Sequence, residues 1–342
     1  MIEPKTYFVK LTPRQLFFFG GEQGETADYF LKGNSLPQQT ALMGLVRHQI
    51  LLQNNLMDNN RIKNDVDAAD WIGLKSFEWD NKTILFNKIF NISPCYLVSE
   101  SEGNRTLLLP YCQAYCNYLK KLSDNYYLPS YDPKIQYSDV WMPLDKSNPI
   151  KLDDIITEVI KPGVDKNYTG KTEEDDKAYF KQVWLKLKKG YSFGFYITLD
   201  PEVNFQTAEV NFGKENSAFK MEVSNSPLKN FSNETNPTAL LLTSDTYVEE
   251  NIIAKADFAV INTIPFRNIT SSTTNKTNYY QIDKTGAGTN NRKSSVRLLL
   301  LKRGSIFYGK NGKIASIIKA IDEQKHFKNI GYNHYHLLNI TY

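Results

Sequence analysis

Cysteine is scarce. Cys95, Cys112 and Cys116 are the only three in 342 residues, an odd and sparse set that frames no disulfide scaffold and fits a reducing compartment. Long apolar runs are missing too. No stretch of about 18 apolar residues exists, so no membrane-spanning helix is expected. The opening Met1-Ile2-Glu3-Pro4-Lys5 leads into no apolar segment of the secretory kind, and a cytoplasmic location is expected. Histidine is limited to His48, His326, His334 and His336, which leaves little for general acid–base chemistry. Cys112 and Cys116 have the spacing of half a zinc site without a second pair, and small buried hydrophobes are their default role. The acidic run Glu173-Glu174-Asp175-Asp176 is accounted for as the first turn of a helix. No metal and no cofactor is expected. Charge of one sign is not in large excess: 41 Lys and Arg face 37 Asp and Glu, a net charge of +4. Bulk attraction to a polyanion is therefore weak, and any such role must rest on local clustering.

What is abundant is aromatic. Tyr (21) and Phe (19) dominate a chain that is 41% hydrophobic, enough for a real core, and aromatics favour strands. Residues 6–11 read as a strand, followed by a Gly- and Phe-rich loop, Phe17 to Gly24. Leu36-Pro37-Gln38 opens a helix whose Leu42, Leu45, Val46 and Ile50 fall on one face. Residues 71–99 read as strands, clearest at 82–86 and 95–98. Residues 100–150 lack a sustained period and are expected to hold long loops. Residues 173–189 read as a helix, acids first and lysines last, with Phe180, Val183, Trp184 and Leu187 as the buried stripe and Gly190 as C-cap. Residues 191–199 alternate as a half-buried strand. A hairpin is expected around Lys214-Glu215-Asn216. Further strands fall at 240–242, 279–282, 296–301 and 334–340, and a helix at 313–323.

Strand, helix, two strands, helix, strand is the ferredoxin-like order. The expected class is α+β, with two ferredoxin-like (RRM-like, βαββαβ) domains carrying long loop insertions, 1–150 and 151–342. One basic cluster stands out. Lys276, Lys284, Arg292, Lys293, Arg297, Lys302, Arg303, Lys310 and Lys313 share residues 276–313 with a single acid, Asp283. Between them lies Thr285-Gly286-Ala287-Gly288-Thr289-Asn290-Asn291. Lys and Arg neutralise phosphate and Gly lets backbone N–H groups approach it; the plain alternative is a solvated loop. Arg14 and Lys32 flank the first Gly-rich loop. Arg47 lies on the first helix, where it serves equally to grip a phosphate or to pair with a surface acid. Lys161 and Lys166 flank Pro162-Gly163.

Four segments, in order, resemble the RAMP (repeat-associated mysterious protein) superfamily, and among its members the third subunit of the Cmr (type III-B CRISPR) complex. The first is Leu16-Phe17-Phe18-Phe19-Gly20-Gly21 with Leu36-Pro37-Gln38-Gln39-Thr40-Ala41-Leu42-Met43-Gly44-Leu45-Val46-Arg47. The second, Asn211-Phe212-Gly213-Lys214-Glu215-Asn216, is similar to a Gly-Gly-Glu turn between two strands, with Lys214 in place of the second Gly. The third runs from Val296-Arg297 to Lys302-Arg303-Gly304-Ser305-Ile306-Phe307. The last is Ile330-Gly331-Tyr332-Asn333-His334. The next nearest group is the fourth subunit of the Csm (type III-A) complex.

The resemblance implies two ferredoxin-like domains without a catalytic centre. It implies a subunit that holds the 5′ repeat-derived tag of CRISPR RNA and abuts the large polymerase-domain subunit and a backbone RAMP subunit, in antiviral defence. The RNA-contact candidates are Arg14, Lys32, Arg47, Lys161, Lys284, Arg292, Lys293, Arg297, Lys302 and Arg303. The alternative is a metal-independent endoribonuclease that processes CRISPR repeat RNA, with His48 as acid–base group.

Overall fold

The computed structural model describes residues 3–20, 30–59, 61–101, 104–111, 120–122, 125–127, 139–144, 148–164, 179–225, 236–267, 269–270, 292–293, 296–309 and 311–339. The class is α+β, mostly sheet with few helices.

The largest sheet is antiparallel. Its order is Ile150–Lys151, Val140–Pro143, Asn104–Tyr111, Tyr96–Ser101, Tyr191–Leu199, Lys5–Pro13, Ala218–Ser224, Ala208–Asn211, and Ile89–Ile92 also pairs with Tyr191–Leu199. Alternation along the strands sends their side chains to two different cores. Val9, Leu11, Phe193, Phe195 and Ile197 meet Leu42, Val46 and Ile50 of helix Gln39–Gln53. Phe8, Tyr96 and Val98 turn the other way, onto Leu241, Ile306 and Tyr308 of a second sheet. Gly194 leaves room for the Phe8 and Val98 side chains to meet over its strand: a Cβ there would lie 2.7 Å from Phe8 Cζ and Val98 Cγ2.

The second sheet runs Phe258–Val260, Ile306–Tyr308, Ala239–Leu242, Tyr335–Leu338. Its outer face carries Leu240, Leu242 and Phe307, which bury Ile314, Ile317 and Ile321 of helix Asn311–Asp322. The layers are thus helix, sheet, sheet, helix. In each sheet, four strands follow the spatial order second, third, first, fourth. In the first sheet these are Tyr96–Ser101, Tyr191–Leu199, Lys5–Pro13 and Ala218–Ser224. Helix Gln39–Gln53 follows the first strand of the first set, and helix Asn311–Asp322 follows the third strand of the second set. A third sheet pairs Ile156–Val164 with Tyr179–Leu187, which Phe30–Lys32 joins in parallel.

The structure departs from the sequence reading at several places, one of them residues 100–150, expected to hold long loops, where Asn104–Tyr111 and Val140–Pro143 are strands of the first sheet. Residues 179–187, expected in a helix, form a strand; both of its faces are covered, so its apolar residues lost the alternation that marks a strand. Trp71 lies in helix Asp65–Ile72, which Asn64 caps through Val66 N–H at 2.9 Å and Gly73 ends at φ +80°. Residues 82–86 form no strand, because Asn81 folds the chain into a turn, accepting from Thr83 N–H at 3.2 Å. The expected division at 150/151 runs through the first sheet, since Tyr191–Leu199 and Ala218–Ser224 flank Lys5–Pro13. The expected strand 279–282 lies outside the described residues.

Candidate nucleic-acid interface

Strand Tyr179–Leu187 turns Leu185 and Leu187 into the main core and leaves Gln182 and Trp184 on the opposite face. There Trp184 packs on Phe18, ring centroids 5.8 Å apart. The Trp184 indole N–H donates to Gln182 Oε1 at 3.1 Å. Two lysines cover this pair. Lys161, opposite Gln182 on the neighbouring strand, holds its Nζ 3.9 Å from the Trp184 ring centroid. Lys214 reaches to 5.4 Å from the Phe18 ring centroid.

The turn that presents Lys214 is specified locally. Its backbone N–H donates to Phe18 O at 2.9 Å. Gly213 takes φ +90°, and a Cβ there would sit 2.8 Å from the same carbonyl. Only glycine meets both demands. Glu215 and Asn216 follow in the left-handed region at φ 54° and 51°. The turn links strands Ala208–Asn211 and Ala218–Ser224, the setting in which the Gly-Gly-Glu-like segment was expected.

These lysines differ electrostatically from the candidate cations that pair with a carboxylate. A carboxylate partner cancels a lysine's charge, whereas an aromatic face holds the ammonium and leaves the charge intact. Among the described residues neither Lys161 nor Lys214 has a carboxylate partner. They are cations fixed in place and still able to attract phosphate.

Most of the other expected contacts have partners within the chain. Arg14 grips Glu209 with Nη2 at 2.6 Å and Nε at 3.3 Å, and this bond raises its pKa. Lys32 pairs with Glu158 at 2.5 Å. Arg47 Nη2 donates to Gly73 O at 3.1 Å, tying the first helix to the end of the second. Lys302 pairs with Asp139 at 3.2 Å, and Lys313 with Asp257. Arg303 is committed most deeply. Its Nη2 and Nε reach Asp245 at 3.1 and 3.2 Å, its backbone N–H donates to Asp245 Oδ1 at 2.9 Å, and both side chains are only 9% exposed. Arg297 is exposed. Arg292 and Lys293 form a short strand paired with Ile269–Thr270. Lys166, Lys276, Lys284 and Lys310, with Cys112, Cys116 and residues 173–176, lie outside the described residues.

His326 Nε2 lies 2.8 Å from Trp79 O and His334 Nε2 lies 3.1 Å from Lys328 O. Burial pushes His334 down to about 4, so it is neutral at pH 7. His48 stands on the exposed side of its helix. Among the described residues no three of His, Cys, Asp and Glu converge on a metal position, and no helix is long and apolar enough to cross a membrane.

Sequence reasoning singled out Lys161 as a candidate. Lys214 was noted only as a departure from a glycine, and Phe18 and Trp184 were not singled out as site residues. Lys161, Pro162 and Gly163 form no recognisable motif, and the rings that hold the lysines come from remote segments.

No family model matches the sequence, and no curated protein matches it. Solved structures do. One match is a chain of the type III-B Cmr-β complex bound to cognate target RNA, with a TM-score of 0.54 and 14% identity over 97% of this chain and 96% of that one. A second is a chain of the same kind of complex bound to target RNA and AMPPnP, with a TM-score of 0.53 and again 14% identity over 97% and 96%. The shared feature is the fold, end to end. A chain of a Csm3–Csm4 subcomplex from a type III-A interference complex aligns with a TM-score of 0.41, 12% identity, and coverage of 89% and 94%.

Proposed function

We propose that this chain is a non-catalytic RNA-binding subunit of a type III CRISPR effector complex, of the RAMP superfamily and nearest the third subunit of the Cmr assembly. It holds the 5′ repeat-derived tag of CRISPR RNA and docks onto the large polymerase-domain subunit and a backbone RAMP subunit. The observation that carries the reading is the fold likeness over nearly the whole of both chains, to a chain of an RNA-bound Cmr-β complex. A single shared subdomain would carry much less.

Three features support it. Both sheets have the strand order of a ferredoxin-like unit, each with one of the unit's two helices; where the second would stand, residues 200–217 hold a short strand and a 3-10 turn and residues 243–257 a 3-10 turn. The segments that resemble the superfamily occupy the elements the resemblance implies: Gly213–Asn216 is a turn between strands, and residues 330–334 immediately precede the last strand, Tyr335–Leu338. Lys161 and Lys214 supply two positioned cations with no carboxylate partner among the described residues.

The purified chain is expected to bind single-stranded RNA with an affinity that falls linearly on a log–log plot against salt, and to leave that RNA intact in EDTA and in Mg²⁺. RNA cleavage in EDTA that His48→Ala abolishes would favour the endoribonuclease instead. Salt-independent binding, or none, would remove the RNA role.

A further inference from the structure

Strand Ile156–Val164 pairs with Tyr179–Leu187 along one edge, and among the described residues no strand lies along its other edge. Which backbone groups face that free edge follows from one bond and the register. Lys188 N–H donates to Ile155 O at 2.9 Å, and Ile156 stands opposite Leu187. In an antiparallel pair, successive residues point their backbone groups alternately toward the partner strand and away from it. Thr157, Val159, Lys161 and Gly163 therefore face Tyr179–Leu187, and Glu158, Ile160 and Pro162 face outward. Pro162 agrees with this register: it has no N–H to give a ladder, and it sits where none is asked for.

The free stretch has definite ends. Ile156 N–H is taken by Leu152 O, and Pro162 offers only a carbonyl. Between them Glu158 and Ile160 each present a donor and an acceptor. Natural edges are commonly guarded by a charge. Here the charge of Glu158 is held by Lys32 at 2.5 Å. Lys161, which could guard the edge, is drawn the other way, over the Trp184 ring at 3.9 Å from its centroid. What stands open is Ile160, an apolar side chain 61% exposed. Donors and acceptors that recur about 7 Å apart, two residues along a strand, are matched by another extended backbone. A nucleic-acid strand matches them poorly, because its phosphates accept but do not donate.

We propose that this edge receives a short extended segment of a neighbouring protein subunit, which joins the sheet as a strand beside Glu158–Pro162 and places an apolar side chain against Ile160. Strand addition of this kind takes its affinity from main-chain bonds and its specificity from the side chains between them. The inference rests on the reading of this chain as one subunit of an assembly, and names the surface and manner of one of its contacts.

Residue-resolved hydrogen exchange tests it, on the isolated chain and on the assembly co-purified with the products of its genomic neighbours. In the isolated chain the amides of Val159 and Lys161 should be protected, and those of Glu158 and Ile160 should exchange quickly. In the assembly Glu158 and Ile160 should slow roughly tenfold or more, one hydrogen bond's worth, while Val159 and Lys161 change little. Ile160→Pro removes an outward N–H and leaves the ladder to Tyr179–Leu187 in place. With its fold verified by circular dichroism, it is expected to hold the partner roughly three- to tenfold more weakly. Glu158 and Ile160 amides that still exchange quickly in an assembly containing a partner protein would overturn the edge proposal and spare the subunit reading. Failure of any protein to co-purify would overturn both. Protection by RNA alone, or in the isolated chain, would also contradict the proposal, because the edge would then be covered by RNA, by this chain itself or by a second copy of it.

Discussion

Replacing Lys161 and Lys214 together with alanine is expected to weaken single-stranded RNA binding on the order of 100-fold at low salt. Each ammonium is assigned one phosphate, and a hydrogen bond to a charged group is worth about 1.5–3 kcal/mol. The lower end applies because both lysines are solvent-accessible, giving roughly tenfold each. The salt slope is the sharper readout. Each phosphate contact to a single strand contributes about 0.7 to it, so the double variant should flatten the slope by about 1.4. Arg14→Ala and Lys313→Ala are the controls. Glu209 and Asp257 already neutralise these cations, so each change should alter affinity less than roughly threefold. Equal loss from all of these variants would reduce the ladder on Phe18 and Trp184 to general surface charge. No loss from the lysine pair would remove it from the interface.

The second large effect concerns stability. Asp245→Ala is expected to cost about 3–5 kcal/mol, because it leaves the Arg303 guanidinium buried without its counter-charge. The pair also sits at the seam of the two units: Arg303 Nη1 approaches Cys95 O at 3.5 Å, a residue next to the first sheet's strand Tyr96–Ser101. A drop of several degrees in Tm should follow. The combined variant Asp245→Ala with Arg303→Met should recover much of the loss, since no charge is then stranded. The pH dependence has a definite sign. Burial alone would raise the Asp245 pKa, but the charge and hydrogen bonds of Arg303 outweigh it and leave it below the usual Asp value. The stability it confers is therefore full above the unfolded value, about 3.9, and is lost as pH falls through the lower folded value. The stability gap between the native chain and Asp245→Asn should be flat near neutrality and close only in acid. A gap that instead closed toward alkaline pH would contradict this electrostatic account.

Much of the fold was legible because single segments carried their own instructions. Residues 191–199 alternate cleanly and form strand Tyr191–Leu199. Leu42, Leu45, Val46 and Ile50 mark helix Gln39–Gln53, and Ile314, Ile317 and Ile321 mark helix Asn311–Asp322. What misled was a period shared by two states. Val183, Trp184 and Leu187 fall at helical spacing, yet they also suit a strand buried on both faces. Tertiary cover decided between them, and the cover comes from Phe17, Phe18 and the 156–164 strand. The candidate site was less legible still. Basic residues could be counted, but whether a cation is spent on a carboxylate or held over a ring depends on contacts from far along the chain. Arg303 and Asp245 are 58 residues apart, and Lys161 and Lys214 share a platform whose two rings are contributed by Phe18 and Trp184.

The central claim, an RNA-holding subunit of a type III effector, is tested most directly by co-expressing the chain with its genomic neighbours, purifying it through several salt washes, and sequencing the RNA it retains. The account predicts CRISPR RNA with a uniform 5′ repeat-derived end, together with a large polymerase-domain protein. Recovery of the folded chain alone, or with RNA of random sequence and ends, would contradict it.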